Sequence, residues 1–174
     1  MTPRLGPLEL VGDRWVIGDP ARKDGLCVEL TPEGLEHHRR GETAPQLVLP
    51  WSRFVELKVR AAYVRWHATP AGGFVGAFAP GADMGRDCCS LYGILRHPYE
   101  LWKVRYTHHE RRYAAGHAIV LKALFDQLTE ARALDRLGDP EWLGAAVAKL
   151  SPYTSWYAPK GDRLVEATIR SLGT

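Results

Sequence analysis

The chain has 174 residues, enough for one domain with a buried core and a small appendage. Its 45% hydrophobic and 25% charged content excludes bulk disorder, and a net charge of only +3 gives no case for a dedicated nucleic-acid binder. No apolar run approaches the roughly 18 residues that would span a bilayer.

Met1 to Gly6 lacks the apolar core of a secretory signal. The three cysteines, Cys88 and Cys89 adjacent, argue against a disulfide framework. A cytoplasmic protein with reduced thiols is expected.

Leu8 to Val11 and Trp15 to Ile17 read as short strands flanking a Gly12-Asp13 turn. Leu26 to Leu30 and Leu35 to Arg39 form the next pair around Thr31-Pro32-Glu33-Gly34, where Pro32 suits the second turn position and Gly34 can take a positive φ. Leu47 to Leu49 follows, then Pro50-Trp51-Ser52-Arg53. An extended run from Phe54 to Trp66 comes next, whose apolar and charged residues nearly alternate. Phe74 to Phe78 reads as a strand and Pro80 to Asp87 as a loop. Ser90 to Leu95 and Leu101 to Tyr106 then make a hairpin around His97-Pro98.

Beyond this the period changes. Ile119, Val120, Leu121, Leu124, Phe125, Leu128 and Leu134 share one helix face, predicting a long helix from Ala115 to Leu137. Asp139-Pro140 supplies an N-cap and a first helical proline for a second helix carrying Leu143, Ala146, Val147 and Leu150. A third, from Asp162 to Leu172, is punctuated by Gly173.

Strands closed by one long helix, with Thr31-Pro32-Glu33-Gly34-Leu35 as a strand-connecting turn and Leu49-Pro50-Trp51-Ser52-Arg53-Phe54 opening the next strand, resemble bacterial members of the pleckstrin-homology-like superfamily. The resemblance implies an α+β fold: an antiparallel sheet or barrel of about seven strands closed by a long helix, over residues 8–137. Two further helices, over residues 138–174, would pack on it as an extension. Trp51 would plug one end of the barrel. Only Arg22 and Lys23 occupy the early loop where phosphoinositide-binding members are basic, so headgroup binding is not implied.

Four groups of residues could carry chemistry. If strand character persists from Leu101 to Tyr113, then Lys103, Arg105, Thr107, His109 and Arg111 share one face, a basic row able to meet a phosphate or an acidic partner. Cys88, Cys89, His97, His108, His109 and His117 have metal-ligand chemistry, but neighbours on a strand point to opposite faces and chelate poorly. Cys88 or Cys89 with a histidine, oriented by Asp87 or Glu110, has the composition of a nucleophilic site. Tyr153, Trp156 and Tyr157 crowd a proline-bounded loop, which either packs back over the sheet or anchors an interface.

The expected function is a non-enzymatic cytoplasmic interaction or scaffold module that binds a protein partner through Lys103, Arg105, His109, Arg111, Tyr153, Trp156 and Tyr157. No catalytic, cofactor or metal residues are assigned. The alternatives are a small hydrolase or transferase using the Cys/His/Arg set, and a nucleic-acid-associated regulator using the basic strand.

Overall fold

Six strands in the first fifty residues pair in the order in which they are made. In this computed structural model, which describes residues 3–23, 25–62 and 88–173, they are β1 (Arg4–Leu5), β2 (Leu8–Val11), β3 (Arg14–Ile17), β4 (Leu26–Leu30), β5 (Gly34–Arg39) and β6 (Leu47–Pro50). Each is antiparallel to the next. The period-two alternation of strand side chains turns this register into rows. Leu10, Trp15, Leu30, Leu35 and Leu49 align as one inward row, and Leu5, Leu8, Ile17, Val28, His37 and Leu47 as another. Between them an outward row runs Arg4, Glu9, Val16, Glu29, Glu36 and Val48.

A 3-10 turn, Trp51–Arg53, leads into a second antiparallel sheet of β7 (Phe54–Arg60), β8 (Ser90–Leu95) and β9 (Glu100–Arg105). Trp51 is buried, and its indole N–H donates to the Thr31 carbonyl at 2.9 Å, tying the turn to the β4–β5 connection. Gly34 is not needed for a positive φ, contrary to expectation. A Cβ there would lie 2.1 Å from the Leu49 carbonyl oxygen, so the glycine permits the close approach of β5 and β6.

Three helices follow: α1 (Ala115–Glu130), α2 (Pro140–Leu150) and α3 (Ala158–Leu172). The α1 face bearing Val120, Leu121, Leu124, Phe125 and Leu128 is fully buried. Thr129 pins its end to the sheet, the hydroxyl lying 3.1 Å from the Leu57 carbonyl and 3.3 Å from the Leu57 nitrogen. One continuous apolar cluster contains side chains from both sheets and all three helices. None of the described helices is long and apolar enough to cross a membrane.

The fold is therefore α+β with antiparallel sheets, as expected, but they number six and three strands and do not close into a barrel among the described residues. The long helix stops at Glu130, short of Leu137. Arg132 takes a left-handed φ of 56°, the Ala133 N–H reaches the Leu128 carbonyl and the Arg132 N–H the Thr129 carbonyl. This is a Schellman ending with arginine where glycine is usual. Leu134 and Leu137, which extended the apolar pattern, lie on a separate 3-10 turn, Leu134–Gly138.

Asp139 caps α2 as expected, one carboxylate oxygen accepting from the Glu141 and Trp142 nitrogens at 3.0 Å. The last helix begins at Ala158, earlier than Asp162, because Pro159 fits its first turn. The expected strand end at 63–66, the strand at 74–78 and the loop at 80–87 lie outside the described residues.

Candidate functional site

On β9, Leu101, Lys103 and Arg105 are exposed, while Trp102 and Val104 between them pack against the core. Strand register extends this outer face across the sheet. Lys103 stands opposite Tyr92, which stands opposite Lys58. Arg105 and Arg60 flank Ser90, which is buried, and Leu101 and Glu56 flank Ile94. The Arg60 guanidinium lies 4.7 Å from the centre of the Tyr92 ring, a cation–π contact. Lys58 pairs with Glu56 at 3.2 Å, and that hydrogen bond raises its pKa. Four cations thus surround one tyrosine, beside an apolar Ile94–Leu101 pair whose leucine is 89% exposed.

His109 and Arg111 do not join this row, because the strand ends at Arg105. Thr107 crosses to the six-stranded sheet: its N–H donates to the Leu26 carbonyl at 2.8 Å, its hydroxyl accepts from the Leu26 nitrogen at 2.8 Å, and its carbonyl accepts from Asp19 at 2.9 Å. This carries His109 into a buried position, with Nε2 2.8 Å from Glu9 Oε1 and Nδ1 2.7 Å from the Tyr113 hydroxyl. Arg111 donates to the second oxygen of Glu9. Burial, and then the Arg111 charge, push the His109 pKa down against the pull of Glu9. With both ring nitrogens engaged, His109 offers no lone pair to a substrate and acts as a structural link.

Neighbouring His108 stacks on Tyr113 at 4.3 Å, its Nε2 3.1 Å from the Ala62 carbonyl. A cleft of about 580 Å3 beside these residues is lined by Arg22, Lys23 and Arg111, together with Asp19 and Glu110. Its cations are partly offset by carboxylates, and Arg22 already donates to the His108 carbonyl at 3.3 Å.

The aromatic loop divides. Tyr153 is buried and donates its hydroxyl proton to the Tyr157 carbonyl. Trp156 and Tyr157 project outward, 78% and 53% exposed, in an edge-to-face pair at 6.5 Å.

Among the described residues the Cys/His sets form no metal-ligating group, although Cys89 and His108 both meet the Ala62 backbone. Cys89 faces Cys88, Ala62 and Tyr106, and its hydrogen bond with Cys88 lowers its pKa against burial. His117 Nε2 lies 2.8 Å from the Ser151 carbonyl, and His97 sits in the β8–β9 turn beside Tyr99. Cys27 is buried, which pushes its thiol up to about 11, far from a ready nucleophile.

Alternation exposed Lys103 and Arg105 in the sequence, but Lys58, Arg60 and Tyr92 join them only through a register that sequence does not specify. No protein-family model, curated protein or solved structure matches the chain.

Proposed function

We propose that the protein is a non-enzymatic interaction module that binds an acidic segment of a protein partner on the outer face of β7–β8–β9. The carrying observation is the Lys58–Tyr92–Lys103 row, with Arg60 and Arg105 on one side and Ile94–Leu101 on the other. Lysine and arginine supply attraction and specificity for carboxylates. The adjacent apolar pair suits a polypeptide alternating acidic and apolar residues better than a phosphate backbone. Arg60 over the Tyr92 ring also occupies the face on which a nucleic-acid base would stack.

Trp156 and Tyr157 provide a second exposed aromatic contact. The scaffold in this proposal is pleckstrin-homology-like. It is supported by the turn at Thr31 to Gly34 and by the strand, 3-10 turn and strand running from Leu47 to Arg60. A cytoplasmic setting accords with three free cysteines.

Fluorescence anisotropy with a labelled peptide of alternating Glu and Leu tests this reading. Binding should weaken with added salt, and Lys103→Glu with Arg105→Glu should lower affinity at least about tenfold, since two attractive charges become repulsive. Unchanged affinity in that variant overturns the proposal. Tighter binding to single-stranded RNA than to the peptide would transfer the face to nucleic acid.

A further inference from the structure

The outward row of the six-stranded sheet places two carboxylates face to face. Glu29 on β4 is the direct register partner of Glu36 on β5, and His38, two residues beyond Glu36, shares their side of the sheet. Like charges directly opposite on an antiparallel pair repel. Here the imidazole closes over them: His38 Nε2 is 2.9 Å from Glu36 Oε2 and 3.8 Å from Glu29 Oε2. One donor atom from each of the three side chains lies within 4.8 Å of the others, and among the described residues this is the one such group. The side chains are only 17–24% exposed, so solvent screens them incompletely.

We propose that Glu29, Glu36 and His38 form a binding site for a divalent transition-metal cation of the Zn2+ class. Metal–ligand bonds of about 2.0–2.2 Å put neighbouring donors of a tetrahedron about 3.4 Å apart. The two nitrogen–oxygen separations, 2.9 and 3.8 Å, bracket that edge, so a cation can enter with small side-chain adjustments. One imidazole nitrogen with two carboxylates favours zinc-like ions over magnesium and calcium, which prefer an all-oxygen shell. Three protein ligands leave the fourth position to water.

The resident counter-charge is Arg14, whose guanidinium lies 2.7 Å from Glu29 Oε2. It brings one positive charge to two carboxylates. At 59% exposure the Arg14 side chain has room to swing into solvent when a metal takes its place. Arg14 is therefore a competitor for the site, and its removal makes the test sharp.

The test is calorimetric titration of the full chain with zinc chloride near neutral pH, with imidazole resonances followed by NMR. One saturable site is expected, with the His38 ring nitrogens shifting on binding. His38→Gln and Glu36→Gln should each weaken binding at least about tenfold, since even residues behind a metal's ligands cost that much. Arg14→Ala should tighten it. The far-UV spectra of all three should stay that of the parent, because these side chains lie on the outer face. The NMR arm needs no variant and stands if one misfolds. The proposal is overturned if no saturable site is found, if other histidines shift while His38 does not, or if His38→Gln binds as the parent does.

Discussion

Glu9 Oε1 lies 2.8 Å from His109 Nε2, joining β2 to the segment between β9 and α1 across a hundred positions of chain. The other oxygen of the same carboxylate holds Arg111. Glu9 thus neutralises one cation and accepts from a buried ring, and the segment carrying His108, His109 and Tyr113 is fastened to the sheet through it.

Glu9→Ala should therefore destabilise the fold by about 2–3 kcal/mol, the range for charge-assisted hydrogen bonds lost with buried partners left behind. The urea midpoint measures it. An unchanged midpoint would show that water replaces the carboxylate at no cost.

Arg105 and Arg111, both members of one basic row by alternation, should respond differently to charge reversal. Arg111→Glu sets a second carboxylate against Glu9 and strips it of a donor, and should cost about 1–3 kcal/mol. Arg105→Glu, on an exposed strand position, should cost less than about 1 kcal/mol. Thermal melts of the two single variants distinguish them. Equal losses would mean that Arg105 also serves the fold.

Burial is the largest influence on His37, His108 and His109, and lowers the pKa of all three below the ordinary 6.5. The unfolded chain binds protons near 6.5 while the folded one still holds neutral rings. Stability should accordingly be fully present above that value and decline as pH falls from 6.5 toward the lowered values. Urea midpoints across about pH 5–8 read this slope. A midpoint that rises on acidification would mean the rings gain protons on folding.

Arg132→Gly should stabilise the protein by about 0.5–1 kcal/mol, because glycine takes the left-handed φ without a Cβ penalty. The side chain is exposed, so little packing is lost. A drop in melting temperature would reveal a contribution from the guanidinium that outweighs the backbone gain.

Local chemistry made the strands legible. Gly12-Asp13, Thr31 to Gly34 and His97-Pro98 each mark a reversal, and the observed strands begin and end within a residue or so of those signals. Asp139-Pro140 likewise announced α2 because a cap is a short-range device. The end of α1 was hidden, since arginine occupies the position where glycine would have signalled it, and Leu134 and Leu137 kept the apolar spacing going.

For the candidate site, alternation located Lys103 and Arg105 but carried on to His109 and Arg111, past the point where Thr107 leaves the sheet. Nothing local to Glu9 indicates its partners. Nor does anything local to Glu29 show that Glu36 and His38 converge on it: the first relation is a side-chain contact between β2 and the segment after β9, and the second comes from pairing of β4 with β5.

The neighbour-to-neighbour order of β1 through β6 bears on how the chain is made. Every hydrogen-bonded partner within that sheet is supplied by the adjacent hairpin, so it can be laid down progressively as the polypeptide leaves the ribosome, with short loops to close at each step. The three-stranded sheet cannot, because β7 must await the distant β8. Until residues 109–111 are synthesised, the Glu9 carboxylate lacks both His109 and Arg111. The order of synthesis thus permits a paired meander first, with its Glu9 end fastened only when the segment preceding α1 arrives.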